Sequence, residues 1–257
     1  MKRYCPDCQR PTGDNKVVCV FEQPTWREYL LKRPVSGETG CNLEILFNLL
    51  KSVDGCISED IRNQFDRYKC CIVNARWIKT ERGANTECFL QKLSDGDERI
   101  KYLLNASLIF CFGNEAAVAI NALARTHKRL FSSINIVSVY HLSQTAMMQL
   151  HNTDKIFEEY GLSKEWQPLM PLIIVAEYVL SRIEKRDVGE FCEFVEGFRK
   201  GKKDAKMRSK SIKSNSRVNL GNFPFNYERH VFRLGDVNVS ADKVQIEVSG
   251  TIKHGGL

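Results

Sequence analysis

The chain has 257 residues, with 38 Lys and Arg against 31 Asp and Glu, and 43% of its residues are hydrophobic. This balance excludes an acidic disordered protein, and no apolar run approaches the roughly 18 to 20 residues that a bilayer span requires. The N-terminal sequence lacks the apolar stretch of a secretory signal. We therefore predict a cytoplasmic protein whose 10 cysteines are thiols or metal ligands rather than disulfides.

Apolar strands and helical segments alternate along the first part of the chain. Short apolar runs predict four strands, at 16–21, 70–74, 106–112 and 134–140. Helical spacing or composition predicts helices over 41–51, from near Ser58, within 86–104, over 114–124 and after His141. Because such alternation is typical of parallel sheets, we expect an α/β fold. Its predicted form is a three-layer αβα arrangement around a central, mainly parallel four-stranded sheet.

The remainder of the chain predicts a helical extension, a basic linker and a small β-rich end. Residues 153–198 have helical character, with a nearly continuous apolar run over 172–183 that we expect to be buried. Residues 199–217 hold nine Lys or Arg and one Asp, so this stretch carries a net charge of +8 and the rest of the chain −1. The predicted divisions are a domain over 1–198, a linker over 199–218 and a β-rich segment over 219–257.

The polar segments that follow the four predicted strands are the candidates for a binding site. Ligands of open α/β sheets bind beyond the carboxyl ends of the strands. The segments are 22–28, 74–77, 113–115 and 141–143. Together they bring Asn, His, Ser, Glu and Gln side chains to one edge, a set that suits a polar planar ligand.

Five short motifs lie at or near these positions. The chain has FEQPT at 21–25, RPVSGETG at 33–40, Asn74 at a strand end, GNEA at 113–116 and HLS at 141–143. This order resembles that of the uracil-DNA glycosylase superfamily, and most closely its iron–sulfur-containing bacterial branch. The family has Gly-Glu-x-Pro-Gly or Gly-Gln-Asp-Pro-Tyr, then Arg-Pro-Phe-x-Gly-x-x-Gly, a strand-end Asn, Gly-x-x-Ala and His-Pro-Ser.

The resemblance covers roughly residues 5–150 and implies a DNA glycosylase, an enzyme that flips a base out of the duplex and excises it. By this resemblance Asn74 reads the edge of the base. His141 donates a hydrogen bond to the pyrimidine O2 as negative charge develops there. Ser143 binds a phosphate of the DNA strand.

The resemblance also implies which residues act on the attacking water and on the sugar. Where some family members have an Asp that positions the water, this chain has Gln23. Gln23 would orient water by hydrogen bonding, with Glu28 or Glu22 supplying negative charge near the sugar. The catalytic set that we expect is Glu22, Gln23, Glu28, Asn74 and His141.

Two departures from the family motifs bear on the choice of base. Val35 stands where the family has an aromatic residue that stacks on the base, and Thr25 stands where the uracil-specific branch has a bulky Tyr. Pro24 and Ser36 complete the expected wall of the pocket. Because both departures widen the pocket, the expected substrate is a pyrimidine enlarged at C5, such as hydroxymethylated or glucosylated cytosine in phage DNA. Excision of such bases would serve antiviral defence, and uracil excision in repair is the other expectation.

We expect DNA as the partner, no membrane association and a monomer. Relatives insert a side chain into the base stack just after the His motif, and Gln144 or Met148 would do so here. Arg76, Lys79 and Arg82 are further candidates for phosphate contacts. The expected DNA-binding residues are Ser143, Gln144, Lys202, Lys203, Lys206, Arg208 and Lys210. The basic run suits phosphate backbones because binding releases counterions, although a solvated linker that only aids solubility has the same composition.

Cys5 and Cys8, in the sequence CPDC, form half of a metal site. The iron–sulfur branch has its first two cluster ligands before the first motif, as here, but Ile78 stands at the expected third position and Cys88 is displaced from the fourth. The site could hold a structural zinc ion, completed by two of Cys70, Cys71 and Cys88, or an iron–sulfur cluster. Alternatively, most of the cysteines are buried, unreactive thiols. Catalysis itself requires no cofactor in this interpretation.

Two other functions fit parts of the pattern. A nucleic-acid-binding protein that kept the scaffold but lost catalysis would explain the missing Asp at position 23. A flavodoxin-like enzyme acting on a small molecule is disfavoured, because no Gly-rich phosphate loop follows the first strand.

Overall fold

The structure is a computed structural model that describes residues 4–5, 8–13, 16–53, 57–75, 97–147 and 169–183, and four short strands beyond residue 231. The predicted linker over 199–218 lies outside the described residues, and the predicted domain boundaries stay predictions. No helix within the described ranges is both long enough and apolar enough to span a bilayer.

A mixed, mainly parallel sheet forms the centre of the fold. Its strands are β1 (Tyr4–Cys5), β2 (Cys8–Gln9), β3 (Val17–Phe21), β4 (Cys71–Asn74), β5 (Leu108–Phe112) and β6 (Asn135–Val139). They lie in the order β1-β2-β4-β3-β5-β6. The strands β4, β3, β5 and β6 are parallel neighbours, while β1 and β2 form an antiparallel hairpin added to β4. An α/β fold is therefore confirmed, but the sheet has six strands rather than the four predicted.

The hairpin was missed because its strands have only two residues each. In sequence, the CPDC segment is too short for a period of two to be visible, and its cysteines suggested a metal site. In the structure, Gln9 anchors β2 through its side-chain amide, which donates to the backbone carbonyls of Arg67 at 2.6 Å and Cys70 at 3.0 Å. These bonds fix the hairpin to the segment that leads into β4.

Helices connect and flank the strands. They are α1 (Trp26–Leu31), α2 (Glu38–Ser52), α3 (Glu59–Arg62), α4 (Glu98–Leu104), α5 (Asn114–Thr126), α6 (Lys128–Phe131), α7 (Gln144–Met147) and α8 (Met170–Ile183). The helix predicted over 41–51 begins three residues earlier, at Glu38, because Gly37 with φ of +93° ends the preceding loop there. The apolar run over 172–183 forms most of α8 and is largely buried, as predicted.

Alternate residues of the strands belong to two separate hydrophobic clusters. Val17, Cys19 and Phe21 of β3 pack in one cluster with side chains of α2 and α8. Val18 and Val20 pack in the other with side chains of α4 and α5. Successive strand residues point to opposite faces of a sheet, so burial of both sets explains why the strands are continuous apolar runs.

Two antiparallel strand pairs lie within the predicted β-rich segment over 219–257. The strand β7 (Phe232–Leu234) pairs with β10 (Gly250–Ile252), and β8 (Val239–Ala241) pairs with β9 (Val244–Ile246). Each of these strands has three residues.

Candidate functional site

The carboxyl ends of the four parallel strands lie level with one another at one edge of the sheet. Phe21 lies opposite Asn74, and Phe112 lies opposite Val139. The chain passes from β3 to β4 on one side of β3, and from β5 to β6 on the other. The crevice between β3 and β5 is therefore the topological switch point, where ligands of open α/β sheets bind.

His141 follows β6 at this edge in a defined protonation state. The backbone N–H of Ser143 donates to its Nδ1 at 3.1 Å, so this nitrogen is an acceptor and carries no hydrogen. Burial lowers the pKa of the imidazole below its usual value. The ring is consequently neutral at pH 7, and its Nε2–H is a hydrogen-bond donor.

Aromatic rings and a glycine hold the His141 ring in place. Its edge contacts Phe21 at a centroid distance of 6.2 Å and an interplanar angle of 87°, and Phe21 stacks on Phe112 at 4.6 Å. Gly113 has φ of +87°, and a Cβ at this position would lie 3.4 Å from Cδ2 of His141. The aromatic residues Phe21 and Phe112 at the strand ends therefore pack next to the His141 ring. Because Gly113 has no side chain, its backbone can lie close to the ring.

The segment that carries His141 is fixed by hydrogen bonds on both sides. The Ser143 hydroxyl accepts from the backbone N–H of Ala146 at 3.3 Å, which leaves its own hydrogen to donate. The Leu142 side chain is fully buried in the core, and its carbonyl accepts a hydrogen bond of 2.8 Å from the Asn42 side chain of α2. Ser143 thus has the donor that the predicted phosphate contact requires.

Asn74 ends β4 and is buried, with only 1% of its surface exposed. The adjacent Ala75 donates its backbone N–H to the carbonyl of Phe21 at 2.7 Å, which joins the ends of β4 and β3. The Asn74 amide therefore lies below the surface of the edge, one strand away from the ring that contacts His141.

The first motif follows β3 and turns directly into α1. Glu22 and Gln23 are half-buried and Pro24 is buried. Thr25 is exposed, and its hydroxyl caps α1 by accepting from the backbone N–H of Glu28 at 3.3 Å. Of this predicted set, Glu22 and Gln23 are the polar side chains that directly follow the strand end.

Glu28 joins two loops of the site. One carboxylate oxygen accepts the backbone N–H of Thr25, and the other accepts the backbone N–H of Ser36 at 3.1 Å. The residue is 6% exposed, and the Ser36 hydroxyl in turn donates to the carbonyl of Arg33 at 3.0 Å. The contacts of Glu28 are thus those of a clamp between the first motif and the 33–36 loop.

Val35 has an unusual backbone conformation for a β-branched residue. Its φ is +53°, a left-handed value that such residues rarely adopt, and its side chain is 1% exposed within the core. A Cβ on Gly40 would lie 2.3 Å from the Val35 carbonyl oxygen and 2.6 Å from the Arg67 guanidinium. Only glycine fits at position 40, and the close packing there maintains the strained loop.

Cys8 contacts another cysteine across neighbouring strands. A hydrogen bond from the Cys71 thiol, with the guanidinium groups of Arg99 and Arg10 nearby, lowers the pKa of Cys8 against the opposing effect of burial. Cys5 lies opposite Cys8 in the hairpin, but its side chain is outside the described atoms. Within the described part of the chain, no three or more His, Cys, Asp or Glu side chains are grouped to hold a metal ion. The metal prediction stays a prediction.

Several predicted site residues lie outside the described residues. They are Arg76, Lys79, Arg82, Met148, Lys202, Lys203, Lys206, Arg208 and Lys210, and the side chain of Gln144. The DNA contacts expected of them stay predictions. The candidate metal ligand Cys88 also lies outside the described residues.

Asn42 is the residue of this edge that sequence reasoning missed. It lies in a helix whose neighbouring positions are mostly apolar and buried, among them Leu43 and Leu46. An amide within such a helix is the signal that was available, because a half-buried polar group needs a hydrogen-bond partner.

A cavity of about 690 Å³ opens at the opposite edge of the sheet. Its lining residues are Ile57, Ser58, Ile61, Ser107, Leu108, Ser132, Ser133, Ile134, Asn135 and Ile183. Among these described lining residues, none carries an acid or base that titrates near neutral pH. The chemically equipped edge is the one that carries His141.

No protein-family model matches the chain, and a search of curated proteins finds no match.

Proposed function

We propose that this chain is a DNA glycosylase that flips a modified pyrimidine out of duplex DNA and hydrolyses its N-glycosidic bond. The observation that carries the proposal is the state of His141, a neutral imidazole whose Nδ1 accepts a backbone hydrogen bond and whose Nε2 therefore bears the hydrogen. Such a group suits a base that departs with negative charge on O2. The proposed scaffold is the three-layer αβα fold, which the two core clusters on alternate strand residues support.

In the proposed reaction, water attacks C1′ of the deoxyribose as the bond to the base nitrogen breaks. The bonding electrons pass to the base, and Nε2–H of His141 stabilises the charge that develops on O2. The attacking water gives up a proton to Glu22 or to solvent, its oxygen stays on C1′, and the departing base anion takes up a proton, so the products are an abasic site in the DNA and the neutral free base. Asn74 offers a carbonyl and an amide to the base edge, and its orientation selects between uracil-like and cytosine-like patterns.

Glu22 and Gln23 are our candidates for orienting the water, since they are half-buried and follow β3 directly. Glu28 acts indirectly in this proposal. Both of its oxygens accept backbone N–H groups, from Thr25 and from Ser36, so in this proposal it positions the two loops instead of acting on the sugar.

A pyrimidine enlarged at C5 is the proposed substrate, with a role in defence against phage DNA. Thr25 is a small exposed residue, and Val35 directs its side chain into the core. Neither residue provides an aromatic surface that would close over the C5 side of a base. The predicted +8 run over 199–217 would hold the DNA backbone irrespective of sequence.

An abasic-site assay tests the proposal. Duplexes containing uracil, hydroxymethylcytosine or glucosylated hydroxymethylcytosine are incubated with the protein, and abasic sites are cleaved with alkali. We expect cleavage at the modified cytosines, and a loss of about 10²-fold or more in His141→Ala, because a donor to the developing charge is removed. His127→Ala is the matched control at the far end of α5 and should keep its activity.

Cleavage of uracil duplexes alone would overturn the modified-base part of the proposal. Equal activity in His141→Ala and His127→Ala would overturn the mechanism.

A second function, nucleic-acid binding without catalysis, is favoured by one observation. Gln23 stands where some members of the family have an Asp, and a neutral amide cannot take a proton from the attacking water. A binder should retain DNA affinity in His141→Ala and in Asn74→Ala while producing no abasic sites in any form.

A further inference from the structure

One peptide unit lies between Asn42 and His141. The Leu142 carbonyl, which accepts from Nδ2 of Asn42 at 2.8 Å, and the Ser143 N–H, which donates to Nδ1 of His141 at 3.1 Å, belong to the same peptide group. A peptide group is planar and its C=O and N–H point in opposite directions, so fixing one fixes the other. The amide on α2 therefore determines where the Ser143 N–H points.

The segment has no regular structure that would set this orientation instead. Residues 140–142 lie between the end of β6 and the start of α7. In the motif that it resembles, the middle residue is proline, whose ring fixes φ, and Leu142 has no such restriction. Its side chain is fully buried, which anchors the residue but leaves the rotation of the following peptide to hydrogen bonding.

We propose that Asn42 is a positioning residue that orients the Leu142–Ser143 peptide and thereby fixes the tautomer and direction of the His141 ring. The bond from Asn42 polarises the peptide, which strengthens the Ser143 N–H as a donor to Nδ1. With Nδ1 held as an acceptor, the hydrogen stays on Nε2, the nitrogen that faces the base in the proposed function on which this inference rests.

The geometry also gives α2 a role at both sides of the site. The helix begins at Glu38, just after the strained Val35 loop, and reaches Asn42 little more than one turn later. The helix α2 therefore fixes the distance between the Val35 loop and the 140–142 segment.

The test compares substitutions at Asn42 with one at Asn135. Each removes a hydrogen bond from an Asn side chain to a backbone carbonyl. Asn42→Leu keeps the branched shape of the side chain and has a higher helix propensity, so it removes the donor without weakening the helix, and Asn42→Ala is the second variant. The matched control is Asn135→Ala, because Nδ2 of Asn135 donates to the backbone carbonyl of Ile183 at 2.7 Å at the opposite edge of the sheet.

The first readout is ¹⁵N NMR of histidine-labelled protein, in which His141→Ala assigns the signal of this ring among the five histidines. Wild type and Asn135→Ala should have the hydrogen on Nε2, whereas Asn42→Leu should have a mixture of tautomers. The second readout is base excision, where kcat should fall about tenfold in Asn42→Leu with KM little changed, as expected for loss of one hydrogen bond that acts in the transition state.

An unchanged tautomer in both Asn42 variants would overturn the proposal. If wild-type protein excises none of the bases, the proposed function fails while the NMR comparison still decides the role of Asn42. A change of tautomer in Asn135→Ala of the same size would also overturn it, because the effect would then reflect general loss of stability.

Discussion

The two edges of the sheet have the same strands but different chemistry. At the amino ends of β5 and β6 there is a cavity of about 690 Å³ lined by serine hydroxyls and aliphatic side chains. At the carboxyl ends there are a buried amide, a buried carboxylate and an imidazole with a lowered pKa. Buried polar groups cost folding free energy unless they are paired, so their concentration at one edge makes it the candidate functional edge.

We expect the largest effect on the edge at the carboxyl ends of the strands from Glu28→Gln. The amide has one acceptor oxygen, so its NH₂ group would face a backbone N–H of Thr25 or Ser36. We expect a loss of about 1–3 kcal/mol in the free energy of unfolding, measured by urea denaturation, and weaker base excision. Glu59→Gln is the control at the opposite edge, where the carboxylate is exposed, and it should change neither quantity. Equal stability of the two variants would contradict the clamp.

Gly113→Ala should affect the site more than the fold. The substitution forces an L side chain to φ of +87° and ψ of 169°, a region essentially restricted to glycine, at a cost of about 1–3 kcal/mol, and adds a methyl group 3.4 Å from the His141 ring. Gly13→Ala is a close control, because Gly13 has φ of +79° with no atom within 4 Å of the added Cβ. Both variants should lose similar stability in thermal denaturation, but only Gly113→Ala should shift the His141 NMR signals. A shift of those signals in Gly13→Ala would remove the distinction.

Acid should lower the free energy of unfolding through protonation of His141. Burial makes its pKa lower in the folded state than in the unfolded chain, so the unfolded chain binds more protons as the pH falls below about 6.5. This part of the stability is fully present above that pH, and it is lost progressively until the folded pKa is reached. Urea denaturation at pH 7 and pH 5.5 should show the loss in wild type and a smaller one in His141→Ala. An NMR titration midpoint at or above the usual value would contradict the expected direction.

The smallest effect is expected at the cavity. Ser133 is exposed and lines the cavity at its mouth, so Ser133→Ala should change the free energy of unfolding by no more than about 0.5 kcal/mol. Base excision should be unaffected. A marked loss of excision in this variant would mean that the serine-lined edge takes part in function after all.

Local pattern was sufficient to predict the parallel strands and the edge at which they end. Runs such as VVCVF and LIFCF are apolar on both faces, and both faces are buried. The positions of Asn74 and His141 at strand ends followed from those runs. Whether they act in base excision stays a prediction.

Long-range contacts were what sequence alone failed to reveal. The bond from Glu28 to Ser36 and that from Asn42 to Leu142 depend on loops that meet only in the folded chain. The left-handed Val35 was equally hidden, because its residue type argues against that conformation. The two-residue strands of the hairpin gave no periodic signal.

The position of α2 affects how the substrate preference of the proposed site could change during evolution. Most of the helix is buried, and it carries the Val35 loop at its start and the Asn42 contact one turn later. Local opening of the Val35 loop or of the loop after β6 would require moving part of the core. Backbone amides in these loops should therefore exchange with solvent as slowly as those of the core. New substrates would then be acquired by replacing exposed side chains at the rim, such as Thr25, and not by loosening the loops.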